Sequence, residues 1–239
     1  MLHRYLPRVL VTAALIVAAA LLALHGLGAH ADMEARIVPA PTVDLPAAGE
    51  RQVATLSGGC FWGIQGVFEH VKGVERAVSG YAGGTADTAD YATVSSGKTG
   101  HAETVQITYD PRQISFGRIL QIFFSVALDP TQLDRQGPDS GPQYRSEIWT
   151  ADADQARVAH AYLAQLEAAH VWPRRIATRV DALAGFYPAE AYHQDYLLLH
   201  PHQPYIALED MPKVEALERL FPEMWRADAV TVLPQKPAS

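Results

Sequence analysis

Hydrophobic and polar positions along this chain fall into three regimes. Val9 to Leu24 is an uncharged, largely apolar run, residues 32–51 show no apolar period, and from Val53 onward strand-like alternation and helical spacing take turns. The third regime predicts a strand at 53–57, a helix at 61–71 carried by Ile64, Val67, Phe68 and Val71, and strands near 74–80 and at 103–109. A helix at 115–127, a strand at 144–150, a helix at 152–170 and a strand at 175–182 follow. After Gly185, the prolines at 188, 201, 204 and 212 interrupt every longer period, so irregular chain and short helices should wrap the core. Interleaved helices and strands predict an α+β fold, an α/β sandwich with one sheet and helices packed largely on one face.

The first regime reads as an export signal. Arg4 and Arg8 precede the apolar run, and Ala29-His30-Ala31 offers small residues at the two positions a signal peptidase inspects. An uncleaved membrane anchor is the alternative, but the run falls short of the roughly 20 residues that span a hydrocarbon core. Residues 1–31 are therefore expected to be a signal peptide, with an exported, periplasmic protein that has no membrane contact after cleavage near Asp32. Residues 32–51, with Pro39, Pro41, Pro46 and Gly49, suit a flexible linker. The folded domain is expected over 52–228, followed by a frayed tail at 229–239 that contains Pro234 and Pro237.

Composition narrows the function classes. A chain of 239 residues with 49% hydrophobic content can build one sizeable core, and a monomer is expected. The net charge of −7 and the absence of any Lys/Arg-rich run leave no field to collect nucleic acid. The ten histidines fall in no ligand spacing with cysteine or carboxylates, His193 and the His200/His202 pair coming nearest, so no metal is expected.

The chain contains one cysteine, which is unusual in an exported protein, where cysteines normally pair into disulfides. Cys60 follows the turn Ser57-Gly58-Gly59 and begins the predicted helix, where unpaired backbone N–H groups and the helix dipole should stabilise a thiolate. Phe61 and Trp62 come next, either as core or as a small apolar receptor able to hold a methyl or methylthio group against the sulfur.

These residues carry a resemblance. Gly59-Cys60-Phe61-Trp62-Gly63 is similar to the GCFWG signature of A-type peptide methionine sulfoxide reductases. GYAGG at 80–84, Tyr91 with Val94 and Ser96-Gly97, TGHAE at 99–103, YDP at 109–111, DPT at 129–131, RQGPDSGPQYRS at 135–146 and FYPAEAYHQDYL at 186–197 agree in the same order. The resemblance covers roughly residues 53–200. It implies a ferredoxin-like core with a mixed sheet and the thiol-dependent reduction of methionine (S)-sulfoxide, free or in proteins, as oxidative-damage repair. It also implies Cys60 as nucleophile, Glu103 as acid, Tyr91, Asp139 and Tyr144 as groups holding the sulfoxide oxygen, and Phe61 and Trp62 holding the methyl group, with Tyr91 and Tyr144 contributing to substrate binding. A carboxyl at the start of the alternating segment 103–109 fits the acid's task, since partial burial raises its pKa and a sulfoxide oxygen leaves only when protonated.

Two departures are local: Leu128 stands where the family commonly has a histidine, and Asp134 where an asparagine is often seen. The third concerns recycling. Many relatives use further cysteines to form a disulfide with the oxidised nucleophile, and this chain has none. No cofactor is expected to be bound; an external thiol reductant, a thioredoxin-like protein or a small thiol, must complete the cycle. Two rival readings stay open: a cysteine hydrolase or acyltransferase in which His101 activates Cys60, and a peptide-binding module with an inert Cys60.

Overall fold

A computed structural model describes residues 35–47 and 49–234. The expected signal peptide and the end of the tail lie outside the described residues, and no described helix is long and apolar enough to cross a membrane.

The core is built from β1 (Gln52–Gly58), α1 (Phe61–Glu69), β2 (Val74–Ala82), α2 (Tyr91–Val94), β3 (Ala102–Tyr109) and α3 (Phe116–Ile122). A tight hairpin of β4 (Arg135–Gln136) and β5 (Asp139–Ser140) leads to β6 (Ser146–Thr150), α4 (Ala153–Ala168) and β7 (Arg179–Ala182). The six-stranded sheet has the order β7-β6-β1-β3-β2-β8, with β8 at Phe186–Pro188. All neighbours are antiparallel except β6 and β7. The inner four strands with α1 and α3 form the split βαβ arrangement of a ferredoxin-like core, and the parallel β7 makes the sheet mixed.

Period-two alternation places Glu103 on the same face of β3 as Val105, Ile107 and Tyr109, the face covered by the helices and the main apolar core. The opposite face carries only a small cluster of Ala82, Ala102 and Trp149. Two-sided burial makes β3 an interior strand over most of its length, where a strand with one buried face was expected.

Several boundaries differ from the sequence pattern for identifiable reasons. The helix expected at 115–127 is capped by the Ser115 hydroxyl, which accepts from the Arg118 N–H, and turns into a π-helix over Phe123–Ala127. The strand expected from 144 begins at Ser146, because Pro142–Tyr144 is a 3₁₀ turn. The strand expected from 175 begins at Arg179, since the Ile176 and Ala177 N–H groups bond Glu167 and Pro130 instead. The wrap after Gly185 contains more order than expected: β8 extends the sheet, α5 spans Tyr196–Leu199, and a π-helix over Ile206–Asp210 runs into α6 (Met211–Leu220), which packs on α1.

Residues 35–45 do not form the free linker their composition suggests. Val38 is fully buried, its N–H donates to Ser125 Oγ (3.2 Å), and its carbonyl accepts from Gln121 Nε2 (2.7 Å). Pro39 O accepts from Tyr162 (2.7 Å), and Asp44 accepts from the Gly117 N–H (2.8 Å) at the start of α3. The start of the expected tail is also pinned: Asp195 accepts from Val232 N–H (2.9 Å) and Leu233 N–H (2.8 Å). In both segments a few bonded positions outweigh a polar, proline-containing composition.

Candidate active site

Cys60 occupies the N-cap position of α1, one residue after a glycine with φ of +97°. A side chain at Gly59 is excluded twice, by that left-handed backbone and because its Cβ would lie 2.6 Å from Gln136 Cβ and Cγ. The Gln136 amide in turn joins the Asp129 N–H (3.0 Å) and carbonyl (3.1 Å), so the hairpin and the DPT turn brace the cysteine loop. Leu128 belongs to this support as a buried apolar contact under Gly58, which accounts for a leucine there, and Asp134 takes a left-handed φ of +50°, a conformation that asparagine and aspartate share.

The sulfur's environment differs from the expected stabilised thiolate. Cys60 is only 7% exposed, and burial pushes its thiol well up, with the Asp210 and Glu103 carboxyls adding to the effect. Lys213 and the Trp62 N–H at the helix start act the other way without prevailing, so the resting group is a thiol.

Glu103 is 3% exposed and accepts a hydrogen bond on Oε2 from the N–H of Phe61, the residue next to Cys60 (3.0 Å). Burial raises its carboxyl to about 8; the Phe61 N–H opposes this, and the Asp139 and Asp210 charges add to it. At neutral pH it is therefore largely a neutral acid tied directly to the cysteine loop.

The other expected residues gather here. Tyr91, at the start of α2, and Tyr144, in the 3₁₀ turn, both have hydroxyls pushed up first by burial and then by the nearby Glu103 and Cys60 charges. Asp139, at the start of β5, is raised by burial and accepts a short hydrogen bond from the Tyr205 hydroxyl. Trp62 keeps a partly exposed face, stacks on Tyr196 (3.9 Å, 10°) and donates its indole N–H to His193 Nδ1 (3.1 Å). Phe61 is fully buried against Tyr81 and His193, so in the free protein it backs the site instead of lining it.

Sequence reasoning missed a second ring of residues. Glu190 accepts from the Tyr91 N–H and the Tyr81 hydroxyl (both 2.9 Å), joining the end of the chain to two site elements. His193 lies 4.4 Å from the Tyr91 ring, and burial lowers its pKa, so it is neutral. Tyr205, Asp210 and Lys213 come from the C-terminal wrap. Glu190 and His193 lie inside the 186–197 motif, where Glu190 could have been singled out and His193 was weighed only as a metal ligand; the other three carry no comparable mark.

His101 does not fit the hydrolase reading. Its Nδ1 accepts from the Gly84 N–H (3.2 Å) and its Nε2 faces Thr85 O (3.0 Å), so both nitrogens are spent on the backbone of the 83–85 turn. Among the described residues, no group of three His, Cys, Asp or Glu side chains is placed to hold a metal ion.

Fold and site together define a thiol enzyme: a lone cysteine at a helix start, a neutral carboxylic acid bonded to the next residue, and tyrosine hydroxyls around both. Comparison with known proteins agrees. The family model for peptide methionine sulfoxide reductase matches residues 52–224. The peptide methionine sulfoxide reductase MsrA 2 of Mesorhizobium japonicum is 52% identical over 191 residues, covering 80% of this chain and 98% of that protein. That of Synechocystis is 44% identical, covering 81% and 92%. Among solved structures, methionine sulfoxide reductase A of Corynebacterium diphtheriae is similar with a TM-score of 0.56 and 33% identity, over 71% of this chain and 88% of that one. Reduced Mxr1 of Saccharomyces cerevisiae gives 0.57 and 31%, over 67% and 91%. The chain belongs to the peptide methionine sulfoxide reductase family and is an oxidoreductase that reduces methionine sulfoxide at the expense of thiols.

Proposed function

We propose that Cys60 is the nucleophile of this reaction and Glu103 its acid. The observation that carries this reading is the neutral, buried Glu103 carboxyl bonded to the residue after Cys60. Trp62 holds the methyl group of methionine (S)-sulfoxide, with Phe61 behind it, and the hydroxyls of Tyr91 and Tyr144, with Asp139, orient the oxygen. Glu103 protonates that oxygen as the Cys60 sulfur attacks the sulfoxide sulfur. The thiol proton restores Glu103, the oxygen passes to Cys60 as a sulfenic acid, and methionine departs. One external thiol then condenses with the sulfenic acid, releasing water and leaving a mixed disulfide; a second reduces that disulfide and frees Cys60.

This cycle serves free and protein-bound methionine sulfoxide, on a monomer exported to the periplasm, the export resting on the sequence of residues 1–31. The reductant is a small thiol or a thioredoxin-like dithiol protein, because the chain supplies no second cysteine. Single-turnover chemistry tests the assignment. Without reductant, each chain should convert one equivalent of the S epimer and stop, with dimedone trapping Cys60 and Cys60→Ser converting none. Two equivalents per chain, or turnover by the serine variant, would remove Cys60 from the role.

A further inference from the structure

Asp210 and Lys213 lie outside every motif that carries the family resemblance, yet the fold places them at the start of the cysteine helix. The π-helix ending at Asp210 and the first turn of α6 pack against α1 at Gly63. A Cβ at Gly63 would lie 2.2 Å from Asp210 Oδ1 and 2.9 Å from Lys213 Nζ, so the pair fills the space this glycine leaves. Gly63 is the third helical residue and Cys60 the N-cap, positions whose groups are neighbours at any helix start. The pair therefore stands beside the sulfur.

Asp210 is fully buried and Lys213 nearly so, with Nζ donating to Oδ1 at 2.9 Å. Asp210 Oδ2, also buried, has no hydrogen-bond partner among the described residues. Such a pair is costly to keep inside a protein unless it serves something. The groups that interact with Cys60 from the surrounding elements are the carboxyls of Glu103 on β3 and of Asp210 and the hydroxyls of Tyr91, Tyr144 and Tyr205, while Asp139 on β5 acts on Glu103 and Lys213. Lys213 is the cation acting on the sulfur, and its charge favours a thiolate.

We propose that Asp210 is a positioning residue that opposes charge on the Cys60 sulfur, both by its own carboxylate and by tying up the Lys213 ammonium, and so holds the resting nucleophile as an unreactive thiol. The inference rests on Cys60 being the reactive sulfur. It suits a chain with one cysteine: peroxide converts a thiolate to a sulfenate and water, and further peroxide carries it to a sulfinic acid that thiols do not recover. A protonated sulfur escapes this loss between turnovers.

The test is the pH dependence of iodoacetamide alkylation in the full chain, with peroxide inactivation measured beside it. Asp210→Asn, or Asp210→Ser should the amide not fold, frees the cation; the alkylation midpoint should move acid by at least one unit, making both reactions about tenfold faster at pH 7. Asp210→Glu should keep the wild-type midpoint. The double variant Asp210→Asn/Lys213→Met, which also lacks the cation, should keep only the part of the acid shift that the lost carboxylate charge itself accounts for. A residue with only a packing role would change rates at every pH without moving the midpoint. An unmoved or alkaline midpoint in the neutral variants, or an acid shift as large in the double variant as in Asp210→Asn, would overturn the proposal. Methionine sulfoxide turnover by wild type and Cys60→Ser, run in parallel, separates this outcome from a failure of the Cys60 assignment.

Discussion

Replacing Glu103 with Gln should lower activity and raise stability, and the two effects have separate causes. The amide keeps the shape and can still accept from the Phe61 N–H, so the helix start stays in place, but it has no proton to deliver. Loss of general acid catalysis typically costs on the order of 10²–10⁴ in rate, or about 3–5 kcal/mol in the barrier. It should appear in kcat and not in KM. Stability moves the other way. The folded pKa of about 8 stands above the ordinary 4.5, so the folded protein holds more protons than the unfolded chain between these values and loses stability as pH rises through that window. The penalty is near zero at pH 4, roughly 3 kcal/mol at pH 7 and about 5 kcal/mol above pH 8, to order of magnitude. A glutamine escapes it. Urea denaturation of both proteins at pH 5, 7 and 8.5 should show the Gln variant gaining on wild type with each step. A stability difference that does not change with pH would refute the neutral-acid assignment, and a kcat within about threefold of wild type would remove Glu103 from the chemistry.

Two further outcomes follow from packing. Val38→Ala should cost about 2 kcal/mol of unfolding free energy, because it opens a cavity beside α3 and α4, whereas a free linker would show no change by the same denaturation measurement. Gly59→Ala should cost roughly 2–4 kcal/mol, from the left-handed backbone and the overlap with Gln136, and should also displace Cys60, so that thermal melting and kcat fall together. Unchanged melting would mean that the loop has room it does not show.

The elements of the central sheet were legible where a single period ran uninterrupted: β1, β2, β3 and the helix after Cys60 follow directly from alternation and helical spacing. Cys60 and Glu103 were legible because each sits at the boundary of such an element, where a motif and a structural position coincide. Illegible parts share a physical cause, dependence on partners distant in the chain. Val38 looks like one apolar residue in a proline-rich stretch until Gln121 and Ser125 supply its hydrogen bonds. β8 is three residues long and includes Pro188, which lacks an N–H and is tolerated because this strand lies at the sheet edge.

The thiolate expectation failed for a related reason. A helix start does favour negative charge, and the Trp62 N–H acts on Cys60 in that sense, but the local effect of one helix end is small beside the loss of water around a nearly buried sulfur. Burial is set by residues that no local window contains: the π-helix and α6 arrive from 150 positions away and bring two opposite charges with them. In sequence, Asp210 and Lys213 are an ordinary i,i+3 pair that a reader assigns to solvent. What changes their meaning is Gly63, whose missing side chain lets that pair reach the cysteine helix; the second glycine of the GCFWG motif thus concerns the charge beside the sulfur, as the first concerns the turn of the chain.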